Sequence, residues 1–118
     1  MRNAHAQPFR IEASDADLAD LRARLRATRW PERETVEDWS QGIPLGYLRP
    51  LVEYWADGYD WRRREARFNA LPQYRMQVGG LGIHFYHLPA RRPDALPLIM
   101  THGWPGSVAE FLDVMSPL

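Results

Sequence analysis

The sequence predicts an α/β chain in two parts: a helical arm over residues 1–71, and over residues 72–118 a hairpin, a buried strand, a loop and a helix. Three observations predict it. Apolar residues before Gly58 recur at spacings of three, four and seven, as on one face of a helix. From Pro72 the period changes to alternation on either side of a glycine pair. "LPLIM" (96–100) is continuously apolar, which suits a strand covered on both faces within a parallel sheet.

The elements follow in chain order. Residues 1–9 read as a loose or extended lead-in. "SDADLADLRARLRATRW" (14–30) reads as a helix capped by Ser14, with Asp17 at its third position and Leu18, Leu21 and Leu25 on one face. Pro31 disfavours helical geometry at Trp30 and is expected to end it there. A polar loop with Trp39 leads to "LGYLRPLVEYWADG", where Leu48, Leu51, Val52 and Trp55 give helical spacing and Gly58 a stop. Pro50 fits best near the start of a helix beginning at about Arg49, after a separate turn over 45–48. A third short helix runs from Asp60 to near Asn69. "QYRMQV", a turn of "GG" or "GGLG", and "IHFYHL" make an antiparallel hairpin. The "LPLIM" strand and a helix over "SVAEFLDVM" complete the order. A strand apolar on both faces needs neighbours on each side, and only one helix follows it, so the sequence reads as unfinished.

Composition sets bounds. The 118 residues suffice for one modest domain, and 45% of them are apolar, so the chain is not of the disordered class. Fifteen basic and fifteen acidic residues cancel, which argues against a nucleic-acid partner held by bulk phosphate attraction. With no cysteine, disulfides, thiolate nucleophiles and Cys-ligated metals are excluded. No run approaches the roughly 18 apolar residues of a membrane span, and the N-terminus lacks the apolar core of a secretory signal. A cytoplasmic location is the default expectation.

The chemistry-bearing stretch is "THGWPGS" (101–107) between strand and helix. Such junctions lie at the carboxyl end of an α/β sheet, where ligands bind. Gly103 lets the backbone turn and Pro105 fixes the chain after Trp104, so a rigid backbone N–H there could form half of an oxyanion hole. His-Gly and Pro-Gly are also ordinary turn dipeptides, but the flanking strand and helix favour the functional reading. Other candidates are weaker. His84 and His87 are three apart in a strand, point to opposite faces and cannot form a local metal pair. Glu37, Asp38 and Glu110 have no partner that spacing identifies. Trp39, Trp55 and Trp61 read as packing anchors, "RRREAR" as a solvated helix face, and Ser107 as a helix cap.

"DLRARLRATRWPE", "WSQGIPLGYLRPLVEYWADGYDWRRREARFNALPQYRMQVGGLGIHFYH" and "LPLIMTHGWPGSVAEFLDV" together resemble the N-terminal part of the microsomal-type epoxide hydrolases, from near Pro8 to the last residue. The resemblance implies the family's helical arm followed by the opening of its α/β-hydrolase domain. Gly79, where such proteins often carry an acidic residue, and Pro50, in place of an ordinary helix former, depart from it; the second suggests a kinked or shortened second helix. The implied reaction has two steps. An aspartate attacks an epoxide carbon to form an alkyl-enzyme ester while two tyrosines donate to the ring oxygen. A histidine paired with an acid then activates water, which hydrolyses the ester through a tetrahedral oxyanion. By this resemblance the Trp104 N–H stabilises that oxyanion, the Trp104–Pro105 peptide is cis, and His102, Gly103 and Pro105 shape the loop. The nucleophile, base, acid and tyrosines lie further along in the family, so the 118 residues are expected to be inactive alone. No cofactor or metal is implied, and the epoxide is a partner only of the complete enzyme. The chain would then be a truncated piece whose "LPLIM" segment has lost its sheet neighbours, leaving an apolar edge prone to association. The alternatives are an interaction module that completes a split hydrolase with a second chain, and a non-enzymatic domain binding a small apolar molecule.

Overall fold

The computed structural model describes residues 5–115. The first four residues of the expected lead-in, and residues 116–118 of the resemblance, lie outside the described residues. The chain forms two compact units: Glu12–Trp61, and a second made of the segments up to Ile11 and from Arg62 onward.

The first unit holds two helices, α1 (Asp15–Arg26) and α2 (Leu45–Asp57). At the start of α1 the Asp17 N–H donates to Ser14 Oγ at 3.0 Å, and the Ser14 N–H donates to Asp17 Oδ2 at 3.2 Å. This reciprocal box satisfies two of the donors a helix start leaves open, and the Ser14 bonds hold the Asp17 carboxyl below its usual range. Leu18, Leu21 and Leu25 are half-buried, as their spacing predicts. The helix stops at Arg26, four residues before the expected Trp30. The Thr28 N–H and its hydroxyl both donate to the Leu25 carbonyl, at 3.3 and 2.7 Å. That tightened turn closes the helix before Pro31 can act.

Helix α2 corrects the expectation of a start near Arg49: it runs unbroken from Leu45, with Pro50 inside it. The reason lies at its N-terminus. The Pro44 carbonyl accepts from the Tyr47 and Leu48 N–H groups, each at 3.0 Å, and Glu34 Oε2 accepts the Leu45 N–H at 2.9 Å. With its open donors met, the helix begins at Leu45; Pro50 forfeits one internal bond and does not shorten it. Taking the Leu45 N–H first, and its neighbour Arg33 last, lowers the Glu34 carboxyl pKa. Half-buried Leu48 and Val52 and buried Ala56 form the inner stripe of α2. Gly58 ends it, where a Cβ would meet the Tyr54 ring at 2.7 Å.

The second unit carries all but the first residue of α3 (Trp61–Asn69) and a three-stranded antiparallel sheet in the order β1 (Gln7–Pro8), β2 (Gln73–Val78), β3 (Leu81–Tyr86). The β2–β3 turn is the glycine pair alone. Gly79 and Gly80 have φ of 58° and 85°, the two left-handed residues of a primed hairpin turn. The lead-in is extended and paired: Gln7 faces Arg75, Pro8 faces Tyr74, and the Phe9 N–H donates to the Gln73 carbonyl at 2.9 Å. The register places Tyr74, Met76, Val78, Leu81, Ile83 and Phe85 on one face, with the Tyr74 and Phe85 rings stacked 5.8 Å apart. The other face carries Gln73, Arg75, His84 and Tyr86.

Two expectations for the C-terminal part are corrected. Leu96–Met100 is not a strand, and the sheet's third strand is Gln7–Pro8. A continuously apolar strand is held by ladders on its flanks, and among the described residues no strand pairs with this one. Leu96 and Ile99 are accordingly 92% and 90% exposed. The helix expected over "SVAEFLDVM" is reduced to a single 3-10 turn at Val108–Phe111, followed by turns to Met115. A helix this short is marginal without a surface to bury its apolar stripe.

Candidate functional site

Of the candidate residues, Gly103, Trp104 and Pro105 form one tight turn with Gly106, and His102 lies just before it. The Gly106 N–H donates to the Gly103 carbonyl at 2.7 Å, closing a four-residue turn around Trp104–Pro105. The Trp104–Pro105 peptide is cis, the geometry expected from the resemblance. His102 Nδ1 lies 3.2 Å from the Gly103 carbonyl; a carbonyl oxygen only accepts, so Nδ1 carries the proton in this arrangement. The ring is thereby engaged by the loop's own backbone. Trp104 is 99% exposed, and among the described residues nothing accepts its backbone N–H. An N–H fixed by the turn on either side and open in front can donate to a developing oxyanion.

The base of the loop is fixed by the segment that follows. The Ala109 N–H donates to Ser107 Oγ, and the Ser107 N–H donates to Glu110 Oε1, each at 3.2 Å. Ser107 is thus a cap, as its sequence position predicts. Glu110, which spacing left without a partner, finds one in the Ser107 backbone. The other two carboxylates are local: Glu37 pairs with Arg33 at 3.3 Å, and Asp38 accepts the Ser40 N–H at 2.9 Å.

A second polar arrangement, within the sheet-bearing unit, was not legible in the sequence. Gln73 is buried and its Nε2 donates to Asn69 Oδ1 at 2.7 Å. Asn69 also bridges the Ile11 backbone, accepting its N–H at 2.9 Å and donating to its carbonyl at 2.8 Å. Because the Gln73 nitrogen is committed to Asn69, its Oε1 faces His84 Nε2 at 2.9 Å, and that nitrogen must carry the proton. Burial, and then the nearby Arg75, push the His84 pKa down. Phe9 and Tyr86 flank the ring at 5.1 and 5.4 Å. Through Asn69 and Gln73 these bonds tie the lead-in to the hairpin. His87 lies toward Tyr74, on the opposite face from His84 as the spacing predicts. Among the described residues no cluster of three His, Asp or Glu could hold a metal ion, and no helix is long and apolar enough to cross a membrane.

Comparison with known proteins places the chain. Residues 6–111 match the family described as "Epoxide hydrolase N terminus". A Stigmatella aurantiaca protein named "Putative epoxide hydrolase" is 60% identical over 108 residues, covering 92% of this chain and 24% of that protein. Epoxide hydrolase 1 of Sus scrofa is 34% identical over 113 residues, covering 92% of this chain and 25% of the relative. The solved Aspergillus niger epoxide hydrolase superposes with a TM-score of 0.86 at 34% identity, over 96% of this chain and 30% of that one. The chain therefore spans about a quarter of the length of the curated relatives it matches. The match takes in both units and the Trp104 turn, and on it the chain belongs to the epoxide hydrolase N-terminus family.

Proposed function

We propose that this chain supplies the N-terminal part of an enzyme that hydrolyses epoxides to vicinal diols through an alkyl-enzyme ester, and that it contributes the Trp104 N–H to that reaction. One observation carries the reading: a Trp104 N–H with no acceptor among the described residues, on an exposed residue in a turn closed by the Gly106–Gly103 bond. The ester formed by attack of a carboxylate on an epoxide carbon is hydrolysed by water, and the carbonyl oxygen then becomes an oxyanion. A donor already fixed in the protein stabilises that charge without reorganising at the moment of reaction. The nucleophile, the water-activating histidine with its acid, and the tyrosines that protonate the ring oxygen come from residues beyond these 118. In this reading the 118-residue chain does not turn over epoxides by itself.

The test is a hybrid in which these residues replace the matching quarter of the Stigmatella aurantiaca relative. The α-hydroxy analogue of tryptophan at position 104 deletes the N–H and keeps the indole. Deacylation is expected to slow about 10²–10³-fold, the loss typical of one oxyanion donor, while ring opening still gives a burst of one equivalent of ester. Trp104→Ala, which keeps the N–H, is expected to retain most of the rate. Equal deacylation rates with and without the N–H overturn the assignment.

A further inference from the structure

We propose that Glu110 is a positioning residue for the Trp104 N–H, acting as a brace beneath the turn; the proposal rests on the reading of Trp104 given above. Three observations converge on it. Glu110 Oε1 accepts the Ser107 N–H at 3.2 Å, fixing the chain three residues after Trp104. The same oxygen fills the space beside Gly106, where a Cβ would sit 1.5 Å from Oε1 and 3.0 Å from the Gly103 carbonyl. Gly106 is in turn the donor that closes the turn, through its 2.7 Å bond to the Gly103 carbonyl. A path of contacts therefore runs from the carboxylate to the backbone of Gly106 and Ser107, on to Gly103, and so to the peptide plane that aims the Trp104 N–H.

The glycine at 106 follows from this packing. Its φ lies outside the left-handed region, so backbone conformation alone does not demand glycine there. What demands it is the carboxylate lying against its α-carbon. Alanine at 106 would displace the Glu110 side chain, and so act through the same brace as removal of Glu110. A capping box alone would explain the Ser107 bond. It would not explain why the acid also occupies the only room for a side chain on the residue that closes the turn.

The effect on chemistry is geometric. Oxyanion stabilisation falls steeply when a donor is misplaced, and displacements near 1 Å cost up to about 10²-fold. Glu110→Ala is expected to slow ester hydrolysis about tenfold in the same hybrid, leave the ring-opening burst intact, and change KM little. Glu110→Gln keeps an acceptor oxygen at the same reach and should restore most of the rate. Gly106→Ala should reproduce the loss, and the double variant Gly106→Ala/Glu110→Ala should be no slower than either single one, because both act on one contact.

Two measurements decide it. The first is amide hydrogen exchange in the 118-residue chain. Glu110→Ala is expected to speed exchange at Ser107 about tenfold or more, with Glu110→Gln near the parent, and unchanged exchange at Ser107 overturns the brace. The second is the split between ring opening and deacylation in the hybrid. If deleting the Trp104 N–H slows deacylation but Glu110→Ala does not, the positioning role is wrong and the Trp104 assignment stands. If neither change slows it, both are wrong. A uniform loss of both steps that tracks a lowered melting temperature, with no rescue by glutamine, reduces Glu110 to a helix cap and also overturns the proposal.

Discussion

At the scale of single residues, His84 shows how a polar side chain is given one role by its neighbours. Sequence alone reads it as a strand residue on a sheet surface. What assigns its proton is the commitment of Gln73 Nε2 to Asn69, which leaves only an acceptor facing the ring. No local pattern announces that chain, because Ile11, Asn69, Gln73 and His84 meet only through the fold. The candidate loop is the opposite case. His102 to Pro105 are contiguous, so their turn was legible from residue types alone, whereas the Glu110 contact with Gly106 depends on a side-chain conformation that spacing does not specify. A pH dependence follows for His84. Burial and Arg75 lower its pKa in the folded chain relative to the unfolded one near 6.5. The unfolded chain therefore takes up the proton first as pH falls, and the folded state loses stability. The contribution is fully present above the unfolded pKa and is lost as pH falls through 6.5 toward the lower folded value. Melting temperature is expected to drop between pH 7.5 and 5.5, and His84→Gln should flatten that slope; a slope unchanged in the variant would place its origin elsewhere.

At the scale of elements, agreement with sequence is best where the determinants are local. The Ser14 box, the Gly79–Gly80 turn and the alternation of Gln73–Val78 are written in adjacent residues, and the structure has them where expected. The early end of α1 has a local cause, Thr28 bonding back to the Leu25 carbonyl, whereas the start of α2 and the pairing of β1 share a partner distant in sequence. Helix α2 starts at Leu45 because Glu34, eleven residues earlier, accepts the Leu45 N–H; strand β1 exists because β2 offers it an edge. Pro50 then becomes a measurable defect. It is the sixth residue of α2, is exposed, and has no N–H to donate to the Gly46 carbonyl. Replacing an interior helical proline by alanine recovers about 3 kcal/mol of propensity, less up to about 1 kcal/mol for the freer unfolded chain. Pro50→Ala is expected to stabilise the chain by about 2 kcal/mol, read as a higher urea midpoint with an unchanged slope. A lower midpoint would mean that the ring packs against something its removal leaves empty.

At the scale of the whole molecule, what is missing is a core. Among the described residues Ala56 is the one buried apolar residue, and the other buried residues, Glu65 and Gln73, are polar. Large apolar side chains stand in solvent instead, and the densest run of them is Leu96, Leu98, Ile99 and Met100. This is the segment whose unbroken apolar character reads as a strand covered on both faces, so its composition and its surroundings disagree. Burial of apolar surface stabilises by about 25 cal/mol per Å², and an extended apolar edge left open satisfies that drive by associating. The chain by itself is therefore expected to self-associate through residues 96–100. In light scattering over a concentration series, the parent should gain mass as concentration rises, and the double variant Leu96→Asp/Ile99→Asp should stay monomeric. The same two aspartates should abolish epoxide turnover in the hybrid described above, since there the segment has a sheet to enter and a charge would be carried into its interior. Together the outcomes discriminate. Loss of association together with loss of turnover marks 96–100 as a strand waiting for neighbours. Loss of association with turnover kept would make it a surface adhesive patch with no place in the sheet, and a parent that stays monomeric at high concentration would show that these residues find cover within the chain.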